Sequence, residues 1–167
     1  HYAQCLTKIN LGRKAEHIFY ENIVNDFHVA DSFYELSQLN IELNEPNKAF
    51  LFGINYVLLT DDQDFREVLE KTFEVTYTSE HKIELEAQLF ATQLLFQYLF
   101  SQGRLNNARA YILSQEEHIQ SHRVIRNLLA MCYLYLSEYE TAKEMFEALL
   151  SEDNSDVHAL CHYTLLL

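Results

Sequence analysis

Two pairs of histidines have a spacing that lets one helix face bind a metal ion. His118 and His122 are four residues apart, as are His158 and His162, with Cys161 between the second pair. Side chains at this spacing lie one helical turn apart, and imidazole is a common ligand of zinc and nickel. Structural zinc usually needs four convergent ligands, however, and neither pair forms an H-E-x-x-H pattern. The sequence therefore predicts no metal site and no cofactor.

Neighbouring carboxylates are the other residues whose types could do chemistry, as an acid and a base. Such pairs require a cleft in which one carboxyl group is desolvated, and these pairs lie on the predicted solvent faces of helices. The sequence also contains no G-x-S-x-G motif and no phosphate-binding Gly-rich loop. We therefore predict no enzyme activity, with a metal-dependent helical enzyme as the alternative. The carboxylate pairs are Glu116 with Glu117, Glu138 with Glu140, and Glu144 with Glu147.

The charge of the chain limits the partners that it can bind. Its 12 Lys and Arg residues oppose 25 Asp and Glu residues, which gives a formal net charge of −13. Nucleic acids and anionic membrane surfaces are bound through clustered basic residues, so we expect neither as a partner. No apolar run approaches the about 18 residues of a membrane-spanning helix, so we expect no membrane insertion.

The cysteines indicate the compartment. Cys5, Cys132 and Cys161 are widely spaced, and each lies within an apolar helical pattern. An odd number of cysteines at such spacing favours buried free thiols over a disulfide framework. No signal-peptide pattern opens the sequence, so we expect a cytoplasmic protein. Because the chain starts at His1 without Met and ends in an apolar run, we expect a piece of a longer repeat protein.

Apolar residues recur at three- and four-residue steps along most of the chain, which is the period of an α-helix. With 49% hydrophobic residues, three Gly and one Pro, the composition supports a packed core and few strand turns. We predict an all-α fold in one domain, residues 1–167. Ser121 is expected to cap one helix, Ser79 a second, and Asn154 or Ser155 the last. Helices are expected at residues 2–10, 13–25, 30–43, 47–59, 63–75, 80–101, 105–117, 156–167 and, as two helices broken at 137–139, in 123–156.

The stretch from 123 to 156 is the best copy of an internal repeat. Its second helix places the small residue Ala142 where two helices of a hairpin would approach. Thirty-four residues earlier the same spacing recurs, and Ala15 and Ala49 are also 34 residues apart. A fixed period of this length is typical of stacked helical repeats. The later copy holds L-x3-Y at Leu129 and Tyr133 and A-x3-F at Ala142 and Phe146. The corresponding places in the earlier copy hold Leu95, Leu99, Ala108 and Ile112.

This period and these spacings resemble the tetratricopeptide repeat, whose signature combines W-x2-L-G-x2-Y with A-x3-F and P. The match departs at the Trp, Gly and Pro places, which hold Arg126, Ala130 and Asn154. The resemblance implies an α-α superhelix, a solenoid of antiparallel helix pairs. The implied units are residues 1–29, 30–63, 89–122, 123–156 and the start of another at 157–167, with an inserted helical segment at 64–88.

The resemblance also implies a concave groove lined by the first helix of each pair. Gln and Asn side chains there could hold a peptide backbone, and Tyr, Phe and Met could supply apolar contact. The alternative for Phe90, Val124 and Met131 is simple packing between repeats. The groove-facing places are Asp31, Tyr34, Gln38, Phe90, Gln93, Gln97, Val124, Asn127 and Met131.

The function implied by this groove is binding of a protein or peptide partner as a scaffold module. An alternative is a regulatory domain that senses a peptide and is part of a larger protein. Self-association through exposed repeat ends is a further possibility, because a solenoid leaves its terminal faces open.

Overall fold

A computed structural model describes residues 11–74 and 80–167, and all regular structure in these ranges is helical. The all-α prediction is therefore confirmed for the described residues. The helix predicted at 2–10, with Cys5, and the cap predicted at Ser79 lie outside them. The helices are α1 (Gly12–Val24), α2 (Val29–Glu42), α3 (Pro46–Thr60), α4 (Gln63–Phe73), α5 (Glu80–Ser101), α6 (Leu105–Leu113), α7 (Glu117–Gln120), α8 (Arg123–Tyr135), α9 (Tyr139–Glu152) and α10 (Val157–Tyr163), followed by a 3-10 turn, Thr164–Leu166.

Local signals set several helix limits where the sequence predicts them. Helix α5 spans Glu80–Ser101 as expected, because no Gly, Pro or capping residue interrupts it. Helix α3 begins with Pro46 at its first position, where the missing N–H removes no intrahelical hydrogen bond. Helix α4 begins after Asp62, whose Oδ1 accepts a hydrogen bond from the Phe65 backbone N–H at 2.9 Å.

The prediction of one continuous helix at residues 105–117 is wrong beyond Leu113. Helix α6 ends at Leu113, and the single turn α7 follows separately. The Gln120 side chain explains this break, because its Nε2 donates to the carbonyl oxygens of Leu113 at 3.1 Å and Gln115 at 2.6 Å. These carbonyls therefore have partners without continuation of the helix.

Two predicted N-caps are also wrong. Helix α8 is capped by His122, whose Nδ1 accepts from the Val124 backbone N–H at 3.4 Å, whereas Ser121 ends α7. Helix α10 is capped by Asp156, whose Oδ1 accepts from the Ala159 backbone N–H at 3.0 Å. Asp156 is a strong N-cap residue, and it lies one residue after the predicted Ser155.

The chain divides into two compact units, His1–Ala91 and Thr92–Leu167, here called the N-terminal unit and the C-terminal unit. In the N-terminal unit α3 packs against α2, α4 and the first half of α5, and the buried Asn55 amide donates to the Ala87 carbonyl at 2.9 Å. The core of this unit contains Phe50, Ile54, Val57, Leu69, Ile83 and Ala87. In the C-terminal unit α8, α9 and α10 share a core of Ala130, Leu134, Ala142, Phe146, Leu149 and Ala159.

One turn conformation recurs between consecutive helices. Asn44, Gly103 and Ser137 each have a positive φ, of 58°, 70° and 64°. The next residue donates its N–H to the carbonyl five positions back, as in a Schellman C-cap. Five positions after each of these residues is an alanine with no exposed surface, Ala49, Ala108 or Ala142. The three bonds are Glu45 to Asn40 at 2.8 Å, Arg104 to Leu99 at 2.9 Å and Glu138 to Tyr133 at 2.9 Å.

The cysteine prediction is correct for one of the two cysteines that the structure describes. Cys132 is a buried free thiol, and burial raises its pKa to about 11. Cys161 is also a free thiol, but it is exposed, so the expectation of burial is wrong there. Cys161 lies on α10. Val157 and Leu160 of the same helix, and Leu165 of the turn that follows it, are exposed as well.

Among the described residues, none of the helices combines the length and apolar character needed to cross a lipid bilayer.

Candidate functional site

The first histidine pair is occupied by local contacts. His118 Nδ1 lies 3.4 Å from a carboxylate oxygen of Glu116, within the α7 region. His122 Nδ1 is the cap acceptor of α8, so this nitrogen is engaged with the Val124 N–H. The two rings therefore serve different contacts in the turn between α7 and α8.

In the second histidine pair, the ring of His162 is held by a backbone carbonyl and by an aromatic ring. His162 Nδ1 lies 2.8 Å from the His158 carbonyl oxygen, and its ring stacks on Phe146 with centroids 5.9 Å apart and planes 9° apart. Within residues 11–74 and 80–167, no group of three or more His, Cys, Asp or Glu side chains converges as a metal site would require.

Two of the six carboxylates singled out in the sequence, Glu138 and Glu147, have partners in nearby helices. Glu138 accepts from Arg109 at 2.5 Å, and Glu147 accepts from the Tyr163 hydroxyl at 2.8 Å. The guanidinium of Arg109 also lies 5.5 Å from the centre of the Tyr133 ring, which is a cation–π distance. These exposed pairs join neighbouring helices of the C-terminal unit.

The most connected carboxylate is one that sequence reasoning missed. Burial disfavours the charged form of Asp156, but hydrogen bonds from the Ala159 N–H, Arg123 and Asn127 outweigh it and lower its pKa to about 2. Arg123 Nε donates at 2.8 Å, and Asn127 Nδ2 donates at 3.0 Å. The cluster connects the start of α8 with the start of α10 through these hydrogen bonds.

The first three groove positions lie on α2. Asp31 is exposed and lies 3.4 Å from His28 Nδ1, whereas Gln38 is half-buried. The ring of Tyr34 contacts Phe65 with centroids 5.2 Å apart and Tyr56 at 5.3 Å. Since Phe65 belongs to α4, the helix of the predicted insertion packs against a position that the resemblance assigned to a groove.

The later groove positions fall on both units. Phe90 in the N-terminal unit is half-buried and packs edge-on against Phe52 at 5.6 Å. In the C-terminal unit Met131 packs against the core of α8, α9 and α10, in agreement with the packing alternative. The Asn127 amide nitrogen is used by Asp156, while its Oδ1 is buried without a hydrogen-bond partner. Gln97 and Val124 are exposed and Gln93 is half-buried.

A cleft of about 530 Å³ in the N-terminal unit is a candidate binding site. This volume is within the range of ligand pockets, and most of the lining is apolar. Helix α3 contributes residues of its first turns to the lining, and α4 contributes its last residue. Helix α5 contributes two residues that are one helical turn apart. The lining residues are Pro46, Asn47, Phe50, Leu51, Phe73, Glu86 and Phe90.

The aromatic walls of this cleft are held by ring contacts beneath it. Phe50 is 3% exposed and meets the edge of Phe73, with centroids 5.7 Å apart and planes 79° apart. Phe90 rests against Phe52, which is completely buried. Edge-to-face contacts of this kind restrain ring orientation, so the apolar walls are pre-organised.

Of the residues that the structure describes, Glu86 is the one ionisable group in the cleft lining. Its carboxylate is 46% exposed and pairs with Lys82 on the same helix at 3.5 Å. An exposed ion pair at this spacing contributes little to the free energy of folding. It also leaves carboxylate oxygen positions of Glu86 open to a second hydrogen-bond donor. The side-chain amide of Asn47 adds donor and acceptor capacity to the lining.

Sequence reasoning identified only Phe90 among the lining residues. Phe73 lies at the end of α4, and nothing local to it indicates that it meets Phe50 of α3. The spacing of Glu86 and Phe90 was a usable signal, because residues four apart share a helix face.

Comparison of the chain with protein-family models, with curated protein sequences and with solved structures found no match.

Proposed function

We propose that this chain is a protein-interaction module, built of tetratricopeptide-like helix pairs, that binds a peptide segment of a partner and catalyses no reaction. The observation that carries the proposal is the apolar cleft between α3, α4 and α5 in the N-terminal unit. A cleft with aromatic walls and few polar groups suits an inserted side chain, and peptide recognition by helical domains commonly uses such grooves.

The recurring turns support the repeat part of the proposal. The positive-φ residues Gly103 and Ser137 are 34 residues apart, as are the buried alanines Ala108 and Ala142. A helix-pair repeat of this period requires both features at corresponding places. In the cytoplasm, the proposed location, the free thiols at Cys132 and Cys161 would stay reduced.

Selection from a library of random dodecapeptides displayed on phage tests the proposal. The folded chain is immobilised, and enriched peptides are synthesised and titrated by fluorescence polarisation. We expect dissociation constants between about 1 and 100 µM, since a single anchor in a small cleft gives modest affinity. Absence of any enriched peptide that binds in solution would refute the proposed function.

A variant of the predicted groove separates the two candidate surfaces. Tyr34, Gln93 and Asn127 are changed together to Ala, which leaves every lining residue of the cleft intact. If the cleft binds the selected peptides, this variant keeps their affinity. A large loss of affinity would assign peptide binding to the groove positions that the tetratricopeptide resemblance implies.

A further inference from the structure

The cleft between α3, α4 and α5 has one apolar region and one anionic point, and their relative position restricts the ligand. Phe50, Phe73 and Phe90 form the apolar region, and Glu86 is its charged neighbour. Glu86 and Phe90 lie one turn apart on α5, a rise of about 6 Å along the helix. A ligand that contacts both must therefore carry an apolar group and a polar group about one residue apart.

The sign of the charge at the cleft is unambiguous. Within residues 11–74 and 80–167, no Lys, Arg or His lines it, and Lys82 is already paired with Glu86 at a largely exposed position. The N-terminal unit, His1–Ala91, contains 16 acidic and 7 basic residues, a formal charge of −9. The C-terminal unit contains 9 acidic and 5 basic residues, a charge of −4. The unit that holds the cleft thus carries most of the negative charge, which attracts cationic ligands and repels anionic ones.

We propose that this cleft binds a peptide segment in which a large apolar side chain lies next to Lys or Arg. The apolar side chain inserts between Phe50, Phe73 and Phe90, and the cation pairs with Glu86. The Asn47 amide is placed to hydrogen-bond the peptide backbone. This inference rests on the proposed function and adds to it the site and the chemistry of the ligand.

The test uses the full chain and three matched fluorescein-labelled octapeptides. All share a Gly-Ser background and differ at two central positions, which are Phe-Arg, Phe-Glu or Ala-Arg. Affinities are measured by fluorescence polarisation, and amide chemical shifts of the 15N-labelled chain identify the residues affected. We expect the Phe-Arg peptide to bind at least about tenfold more tightly than either other peptide, because each of them lacks one of the two contacts.

Charge variants at one position test the role of Glu86 without disturbing the core. Glu86 is exposed, so Glu86→Gln and Glu86→Lys are expected to fold, which circular dichroism verifies. Affinity for the Phe-Arg peptide should fall about two- to fivefold in Glu86→Gln and about tenfold in Glu86→Lys. Glu86→Lys should also bind the Phe-Glu peptide better than the parent chain does. Glu84→Lys is the control, since Glu84 lies on the same helix outside the cleft lining, and it should change affinity less than about twofold.

The outcomes separate this inference from the proposed function. Shifts confined to the lining residues Asn47, Phe50, Leu51, Phe73, Glu86 and Phe90, with the expected order of affinities, support both. Phage-selected peptides that lack an apolar-cation pair, or that bind Glu86→Lys as well as the parent chain, overturn the inference and leave the proposed function standing. Failure of the octapeptides together with an empty phage selection overturns both.

Discussion

The contact between Gly53 and Leu69 determines how α4 packs on α3, and substitution of Gly53 by Ala tests it. A methyl group added at Gly53 would lie 2.6 and 2.8 Å from the two Cδ atoms of Leu69 and 3.0 Å from Ser37 Oγ. Ordinary carbon contacts are about 3.5 to 4.0 Å, so the neighbours must move by about 1 Å. Leu69 is only 2% exposed, and the Ser37 hydroxyl is held by a 2.8 Å hydrogen bond to the Ala49 carbonyl.

The expected free energies follow from two opposing effects. Overpacking in a core costs about 1 to 3 kcal/mol, whereas Ala in place of Gly within a helix stabilises by about 1 kcal/mol. Because two of the new contacts are shorter than 3 Å, we expect an overpacking cost in the upper part of this range, about 2 to 3 kcal/mol, so that Gly53→Ala lowers the free energy of unfolding by about 1 to 2 kcal/mol. Leu69→Ala alone should lower it by about 2 to 5 kcal/mol through the cavity it leaves.

The double variant provides the decisive comparison. In the Leu69→Ala background both clashes with the Leu69 side chain are gone and only the 3.0 Å contact with Ser37 Oγ remains, so the added methyl should stabilise the chain by about 0.5 to 1 kcal/mol. The effect of Gly53→Ala thus changes sign, with a coupling energy of about 1.5 to 3 kcal/mol. Urea denaturation followed by circular dichroism at 222 nm measures all four proteins.

A matched control uses Leu149→Ala, which also removes a fully buried leucine but lies in the C-terminal unit. There Gly53→Ala should remain destabilising by the same amount as in the parent chain, since distant sites are additive. If Gly53→Ala has the same effect in the parent and Leu69→Ala backgrounds, α4 does not pack on α3 through this contact.

Three further predictions concern the turn, the carboxylate and the thiols of the C-terminal unit. Ser137→Gly should raise the free energy of unfolding by about 0.5 to 1 kcal/mol, because glycine adopts the positive φ of that turn without steric cost; thermal denaturation measures it. Asp156 has a pKa lowered to about 2, so its contribution is present above about pH 4 and lost as the pH falls towards 2. Asp156→Asn should remove about 1 kcal/mol at pH 7, after allowance for solvent screening, and flatten stability across that window in urea titrations. In a Cys5→Ser background, a disulfide reagent at pH 8 should modify Cys161 at once and Cys132 only on unfolding, because burial raises the pKa of Cys132 to about 11.

Each of these has a result that would contradict it. The converse change at the corresponding turn, Gly103→Ser, should destabilise, and a gain in stability there would refute the turn argument. An Asp156→Asn variant that keeps the parent's loss of stability between pH 4 and 2 would remove Asp156 from the cause. Two thiols that react at equal rates in the folded chain would contradict the burial of Cys132.

Most helix limits could be predicted from the sequence because they depend on interactions within a few residues. Pro46 and Asp62 mark helix starts through backbone chemistry of the first turn, and no breaker interrupts residues 80–101. The errors near residue 114 and at Ser121 also depend on interactions within a few residues. The side chains of Gln120 and His122 form hydrogen bonds with the backbone there, in place of the expected helix continuation and the expected Ser121 cap. The alanines expected at helix crossings are fully buried. Their recurring period in the sequence is the signal that predicted this.

The candidate site, by contrast, depends on side chains that are far apart in the chain. The sequence by itself determined an acidic, all-helical chain with buried alanines at a period of 34 residues, because composition and periodicity are local properties. Only the tertiary structure decided that Phe73 meets Phe50, that Leu69 fills the space beside Gly53, and that Glu86 stands at an apolar cleft. Such contacts arise from the packing of whole helices, and neither spacing nor propensity specifies which helix ends come together.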